Sequence, residues 1–350
     1  MGEARNRGGK PRREPTIADV ARRVGVSKAA VSFALNGRPG VGDATRERIL
    51  ATAAELGWAP SASARSLSHA RAFAVGIVIA REPALVGADP FFPGFIAGVE
   101  AELGPLDHAL LLQVIGDDGE GESERYEQLA RSERVDGVFL TDLRFDDPRV
   151  DLCARLGLPA VTLGRPDGPS PHPAVCLDDR AGVREAVEHL VELGHERIGH
   201  VGGRQDLLHG SGRREAWEAA MRTAGLGTDL MAAADFTAAA GAAATRELLR
   251  RDDPPTAIVY GNDVMAIAGL TVAHELGLTP PRDLSIVGFG DTELAAHLHP
   301  ALTSVRSDAA GWGRAAARVL LDHIDGRGTD VELPPARLVV RASTTGRRPE

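Results

Sequence analysis

From Thr16 onward the apolar positions fall into short helical stripes. Ile17, Val20, Ala21 and Val24 stand at i, i+3, i+4 and i+7, which predicts one short helix, with Thr16 placed to accept from its first free amides. Gly25-Val26-Ser27 interrupts it: Gly25 permits the positive φ of a tight helix end, Val26 plugs the space between helices, and Ser27 caps a second helix, 28 to about 36, with Val31 and Leu35 inward. A third helix is expected from about 43 to 56, closing a small core with Ile49, Ala53 and Leu56. Beyond Arg71 the pattern changes to continuous apolar runs alternating with amphipathic stretches. Strands are expected at 72–80, 110–115, 137–141, 160–163, 198–201, 257–260 and 284–289, and helices at 95–103, 123–132, 149–156, 179–193, 213–224, 239–250, 264–276 and 309–325. The fold class predicted is an N-terminal all-α helix-turn-helix head plus an α/β body of two doubly wound, mainly parallel lobes. The Pro- and Gly-rich stretch 165–173 is the expected first crossing between lobes, and a ligand cleft is expected beyond the carboxyl ends of the strands.

Length and charge sharpen this division. At about 100–200 residues per domain, 350 residues make two or three domains. The expected organisation is a basic flexible tail 1–14, a helix-turn-helix domain 15–59, a linker 60–70 and a body 71–350. Residues 1–69 carry twelve Lys/Arg against six Asp/Glu, whereas the remainder carries 28 against 43. A basic head on an acidic body points to nucleic acid for the head alone. Apolar residues make up 43% and charged residues 25%, which excludes wholesale disorder. No run of 18 apolar residues and no secretory pattern is present, so no membrane partner and a cytoplasmic location are expected. Cys153 and Cys176 are too few for a disulfide framework and are read as reduced, partly buried thiols.

The second helix exposes Lys28, Ala29, Ser32, Phe33 and Asn36, a compact mixed face suited to a major groove, and Arg22, Arg23, Arg38, Arg46 and Arg48 are suited to phosphates. An ordinary helical hairpin would share the spacing; this surface composition is what favours DNA. The segment 60–69, PSASARSLSH, reads by composition as a flexible linker.

The stretch TIADVARRVGVSKAAVSFALNGRPGVGDATRERILATAAELGWAPSASARSL, residues 16–67, resembles the LacI-type (lactose-repressor) family of bacterial transcriptional regulators. The resemblance continues through DPFFPGFIAGVEAEL, LDDRAGVREAVEHLVELGHERIGHVGG, AIVYGNDVMAIAGL and DLSIVGFGDTELA to RLVVRASTT. It implies that Lys28, Ala29 and Phe33 read bases, and that Thr16, Ile17, Ser27, Ser32, Asn36 and Thr45 contact the DNA near or at its backbone. Lys28 can donate to guanine N7 or O6, and Ala29 and Phe33 can meet a thymine methyl. It also implies that 60–70 is a hinge helix folding on DNA, with Ser61 and Ala64 in the minor groove and Leu67 wedged between central base pairs. For the body it implies lobes similar to periplasmic sugar-binding proteins, a homodimer or tetramer, and a small effector, a sugar or sugar derivative, held by Phe91, Phe92, Arg213, Asn262 and Asp291. Phe33 stands where many members carry arginine, and Gly42 replaces a capping serine and leaves that role to Asp43. Gly290 replaces a carboxylate in Gly288-Phe289-Gly290-Asp291, and Gly164 supplies no side chain where some members have an acid. Asp263 is read as the cap of the helix that follows it.

Other patterns carry less. His189 and His195 lie six apart, not on one helical face, and are not read as metal ligands. Asp178-Asp179 reads as a helix start. No phosphate loop and no nucleophile elbow occurs, so no cofactor and no catalytic residue is assigned. The reading is a repressor of a near-palindromic double-stranded operator; the alternative is a sugar-binding or sugar-processing protein whose basic head is incidental. Steep salt dependence of DNA binding separates the two.

Overall fold

The computed structural model describes residues 15–35, 38–58, 71–116 and 121–346. The expectations for the tail 1–14, for Asn36, and for the hinge with Ser61, Ala64 and Leu67 lie outside the described residues. The chain divides after Arg71 into two compact units.

In the first unit, α1 (Ile17–Val24), α2 (Lys28–Leu35) and α3 (Asp43–Leu56) pack around Val20, Ala21, Val24, Val31, Ile49 and Ala53. Gly25 takes the left-handed conformation at φ 78°, and both its amide and that of Val26 donate to the Ala21 carbonyl, closing α1 as the interruption predicts. The start of α1 is a reciprocal capping box: the Thr16 side chain faces the Asp19 amide as its acceptor, and the Thr16 amide and hydroxyl donate back to Asp19 Oδ2, at 2.9 and 2.7 Å. At α2 the Ser27 hydroxyl accepts from the Ala30 amide at 3.1 Å. Gly42 precedes α3 with no side-chain cap, and Asp43 is already the first helical residue.

The second unit carries two six-stranded sheets. The first uses β1 (Ala74–Ala80), β2 (Ala109–Ile115), β3 (Gly137–Leu140), β4 (Ala160–Leu163), β5 (Ala174–Cys176) and β11 (Val331–Glu332), in the order β11-β5-β4-β3-β1-β2. The second uses β6 (Ile198–Gly202), β7 (Met231–Ala233), β8 (Ala257–Tyr260), β9 (Ser285–Gly290), β10 (Thr303–Arg306) and β12 (Arg337–Val339), in the order β12-β10-β9-β8-β6-β7. All of these pairings are parallel except β12 on β10. The helices are α4 (Pro83–Ala88), α5 (Phe91–Leu103), α6 (Glu122–Arg131), α7 (Pro148–Leu156), α8 (Asp179–Glu192), α9 (Leu208–Thr223), α10 (Ala238–Leu249), α11 (Asp263–Glu275) and α12 (Ala309–Ile324).

The stretch 165–173 is not a crossing. It joins β4 to β5 within the first sheet, and the chain passes between lobes at 177–178, 307–308 and 333–336. The short strands β5, β7, β10, β11 and β12 escape the periodicity because two to four residues are too few to show alternation, and β10 (TSVR) is polar in letters although Thr303 and Ser304 are buried.

Two glycines set the spacing of α5 and α12. A methyl at Gly98 would collide with the Ala310 carbonyl oxygen, and one at Gly313 with the Phe95 carbonyl oxygen, so the helices meet backbone to backbone. Gly98→Ala is therefore expected to lower stability by about 1–3 kcal/mol through overpacking, even though alanine favours helix. Urea unfolding of the purified variant checks it, and an unshifted midpoint would show that the helices separate freely.

Candidate functional site

On the head, Lys28, Ala29 and Phe33 are exposed and Ser32 is half-buried on α2, with Phe33 39% exposed despite its apolar ring. Thr16 and Ile17 are half-buried at the start of α1, Ser27 is exposed at the start of α2, and Thr45 is half-buried in the first turn of α3. Several arginines of this unit are already engaged: Arg22 with Asp19 at 3.1 Å, Arg23 with Glu55 at 3.6 Å, and Arg48 with the Val24 carbonyl at 3.0 Å. Exposed pairs of this kind are weak and exchange readily for phosphates. The arrangement presents two apolar groups and one cation on a single helical face.

In the body, each sheet has a point where strand order reverses, between β1 and β3 in one and between β6 and β8 in the other. Loops leaving the carboxyl ends diverge there and leave a crevice. A cavity of about 460 Å³ lies at this place, walled by Arg81, Thr141 and Asp142 after β1 and β3 and by His209, Asn262 and Phe289 from the other lobe. Its volume is within the range of small-molecule sites. The lobes also touch directly, where Arg144 and Leu207 form an antiparallel bridge and the Leu208 amide donates to the Leu143 carbonyl at 2.8 Å.

Both guanidiniums on the wall are paired. Arg81 donates to Asp142 through Nε and Nη2 at 2.7 and 2.8 Å, donates to Asp89 at 2.8 Å, and lies over the Phe92 ring. Burial pushes the Asp142 carboxyl up, but the Arg81 charge and hydrogen bonds outweigh it and hold it below its ordinary value. Arg213, inside α9, donates to Asp179 Oδ2 through Nε and Nη2 at 2.8 and 2.5 Å and to the Gly261 carbonyl at 2.9 Å, with its guanidinium 3.6 Å from the Phe289 ring centre. Burial, reinforced by the Arg213 charge, pushes His209 down to about 3, so its ring is neutral, and it stacks on Phe236 at 5.3 Å. Phe91 and Trp312 meet edge to face at 5.8 Å on the first lobe's wall.

Of the expected effector residues, the cavity brings together Phe91, Arg213 and Asn262. Phe92 is 1% exposed and belongs to the core of the first lobe. Asp291 is turned to Arg306 and Arg341, each at 2.6 Å, and is not among the wall residues. Asn262, not Asp263, caps α11: its Oδ1 accepts from the Met265 amide at 2.9 Å and its Nδ2 donates to the Phe236 carbonyl at 2.9 Å. Asp263 is instead buried within α11, accepting from the Ser304 hydroxyl at 2.5 Å and the Thr292 amide at 2.8 Å, and burial raises its carboxyl. Gly290 lies on the wall at φ 126°, a conformation that disfavours the carboxylate residue it replaces. Gly164 is not among the wall residues.

Asp178 caps α8, as the paired aspartates predict, whereas Asp179 faces the cavity as the partner of Arg213. Arg81, Asp142, Asp179, His209, Phe236, Phe289 and Trp312 were not foreseen. For two of them a signal exists: AVGIVIA runs straight into Arg81 and GVFL into Thr141-Asp142, each a charged group at the carboxyl end of a buried strand. His189 bonds Thr344, and His195 bonds Thr256 and Ser285; among the described residues no group of three or more His, Cys, Asp or Glu could hold a metal. Cys153 and Cys176 are buried free thiols, raised by burial to about 12 and about 11. Among the described residues no helix is long and apolar enough to cross a membrane.

Residues 16–61 match the family described as bacterial regulatory proteins, lacI family, and residues 187–344 match the periplasmic binding protein-like domain. Over 333 residues the chain is 36% identical to the HTH-type transcriptional regulator CelR of Thermobifida fusca, spanning 94% of this chain and 96% of that one. Over 337 residues it is 32% identical to the HTH-type transcriptional repressor CytR of Escherichia coli, spanning 94% and 96%. Among solved structures it is similar to the CelR–cellobiose complex, with TM-score 0.73, 34% identity and coverage of 94% of this chain and 99% of that one. It is also similar to the lac repressor dimer bound to operator and anti-inducer, with TM-score 0.83, 26% identity and coverage of 95% and 100%.

Proposed function

Because this chain belongs to the lacI family of bacterial regulatory proteins, and is a DNA-binding transcriptional regulator rather than an enzyme, we propose that it is a cytoplasmic homodimeric repressor released from, or driven onto, its operator by a sugar held between the lobes. The observation that carries the reading is one chain holding both a helix-turn-helix with Lys28, Ala29 and Phe33 exposed on one face and a cavity walled by both lobes.

Lys28 and Phe33 read base edges and Ala29 meets a methyl, while Thr16, Ile17, Ser27, Ser32 and Thr45 set the head on the duplex, joined by Asn36. Ser61, Ala64 and Leu67 serve the minor groove and its wedge. Two such heads related by a two-fold axis require a near-palindromic site. The surface that supports dimerisation is β2, an edge strand of the first sheet, on which Leu112 and Val114 are 43% and 36% exposed on one face. Edge strands with exposed apolar side chains are rarely left uncovered. In the cavity, Phe91 offers an apolar platform and Arg213 and Asn262 face ligand hydroxyls, and the cellobiose held by the related CelR makes a disaccharide the first ligand to try. A ligand shifts the operator equilibrium only by its difference in affinity for two states, typically about 1–3 kcal/mol.

Selection of bound duplexes from a randomised pool, followed by titration at rising salt with and without cellobiose, tests the reading. A palindromic motif, a steep loss of affinity with salt, and a shift on adding sugar are expected. Lys28→Ala is expected to relax preference at one base pair in each half-site, costing about 1–3 kcal/mol of discrimination there. An unchanged motif in the same selection would take Lys28 out of base readout.

A further inference from the structure

We propose that the cavity selects an uncharged, hydroxyl-rich ligand over anionic sugars, and that Asp179 in one lobe and Thr141 in the other each engage a ligand hydroxyl. The proposal rests on the effector reading above and specifies its ligand.

The first observation is that both guanidiniums of the wall are already neutralised. Arg81 is held by Asp142 and Asp89, and Arg213 by Asp179 and the Gly261 carbonyl. His209, the remaining basic side chain of the wall, is kept neutral by burial. Five carboxyl groups line the cavity against two guanidiniums. A phosphate or carboxylate entering this space would lose its water, meet no unpaired cation, and stand among like charges.

The second observation is independent. Asp179 Oδ1 and Thr141 Oγ1 are buried side-chain oxygens with no hydrogen-bond partner among the described residues, and both residues are on the cavity wall. An unsatisfied buried oxygen is costly, so most such groups find a partner. A sugar hydroxyl donates to the carboxylate oxygen and either donates to or accepts from the threonine. Thr141 follows β3 of the first lobe and Asp179 opens α8 of the second, so one ligand that satisfies both ties the lobes together. Phe91 and Phe236 add apolar surface to the wall for the ligand's C–H groups, one from each lobe.

The test uses the full chain, with cellobiose, maltose and sucrose as neutral probes and cellobiose 6-phosphate, maltose 6-phosphate and cellobionate as anionic ones. Isothermal titration is expected to find a neutral disaccharide that binds about 100-fold or more tightly than its anionic counterpart. Asp179→Asn keeps the shape, removes one negative charge and loosens the hold on Arg213. It is expected to weaken the neutral ligand about tenfold and to strengthen the anionic one, so the ratio narrows. Thr141→Val fills a similar volume and removes no hydrogen bond formed in the unliganded protein. It is expected to weaken neutral and anionic ligands alike, by about tenfold, and to leave the ratio as it was. An anionic sugar that binds as tightly as its neutral counterpart and moves operator affinity overturns the selection while the effector reading stands. An Asp179→Asn ratio equal to that of the unaltered protein overturns the role given to Asp179. A protein whose operator affinity is indifferent to every sugar of the panel overturns the effector reading and the selection together.

Discussion

Replacing Leu112 and Val114 together by aspartate is expected to yield a monomer whose operator affinity is lower by about 10²–10⁴-fold, the advantage that linking two binding heads confers. The two side chains lie two residues apart on β2, and so on the same face of the first sheet at its open edge. Both are already substantially exposed in the single chain, so the change costs the isolated fold little, since exposed substitutions usually stay within about 0.5 kcal/mol. Facing a second copy, four carboxylates would be forced together without cations. Sedimentation equilibrium and operator titration on the same sample check this. A variant that stays dimeric, or a monomer that still holds operator tightly, would move the two-fold interface elsewhere or remove it from the mechanism.

The largest expected loss of stability follows from Arg149→Ala. Arg149 is buried and donates to Asp147 at 2.9 and 2.6 Å, to Glu122 at 3.0 Å, and to the Thr141 and Asp142 carbonyls at 2.8 and 3.0 Å. Removing it leaves the buried Asp147 without its ion-pair partner and the buried Glu122 with Arg144 alone, and stripping a buried carboxylate of its cation typically costs about 3–5 kcal/mol. It also frees the loop that carries Thr141 and Asp142, so sugar affinity falls along with stability. The pH dependence has a definite sign. Burial pushes Asp147 up, but Arg149 outweighs it and holds the carboxyl below its ordinary 3.8. The stabilisation is therefore complete above that value and is lost as pH falls through the lower folded one. In the variant the same buried carboxyl gains by protonation, so the gap between the two proteins narrows on acidification. Chemical denaturation at neutral pH and near pH 4 measures the gap; a gap that widens in acid would reverse the assignment.

Much of this architecture is readable in the letters. The stripe Ile17, Val20, Ala21, Val24 with Gly25 and Ser27 determines the head because each of its signals is local. The longer strands and helices of the body follow from period alone. What resists reading is pairing across distance. Arg213 is visible as a cation inside a helix, but its choice of Asp179, and that of Arg81 for Asp142, depends on two sheets bringing their carboxyl ends to one crevice. The same reason explains Asp291 and Phe92, whose neighbouring letters suit a ligand wall while their side chains serve Arg306 and Arg341 and the first lobe's core.

Phe91 opens α5 and Trp312 lies in the first turn of α12, and Gly98 and Gly313 seat these helices directly on one another. The two rings therefore travel as one slab. The facing rings, Phe236 after β7 and Phe289 within β9, ride on separate segments of the chain. Reshaping the pocket for a differently shaped sugar is therefore expected to be easier on the bank of Phe236 and Phe289, where one ring can shift without the other, than on the slab, where moving either ring disturbs two helices.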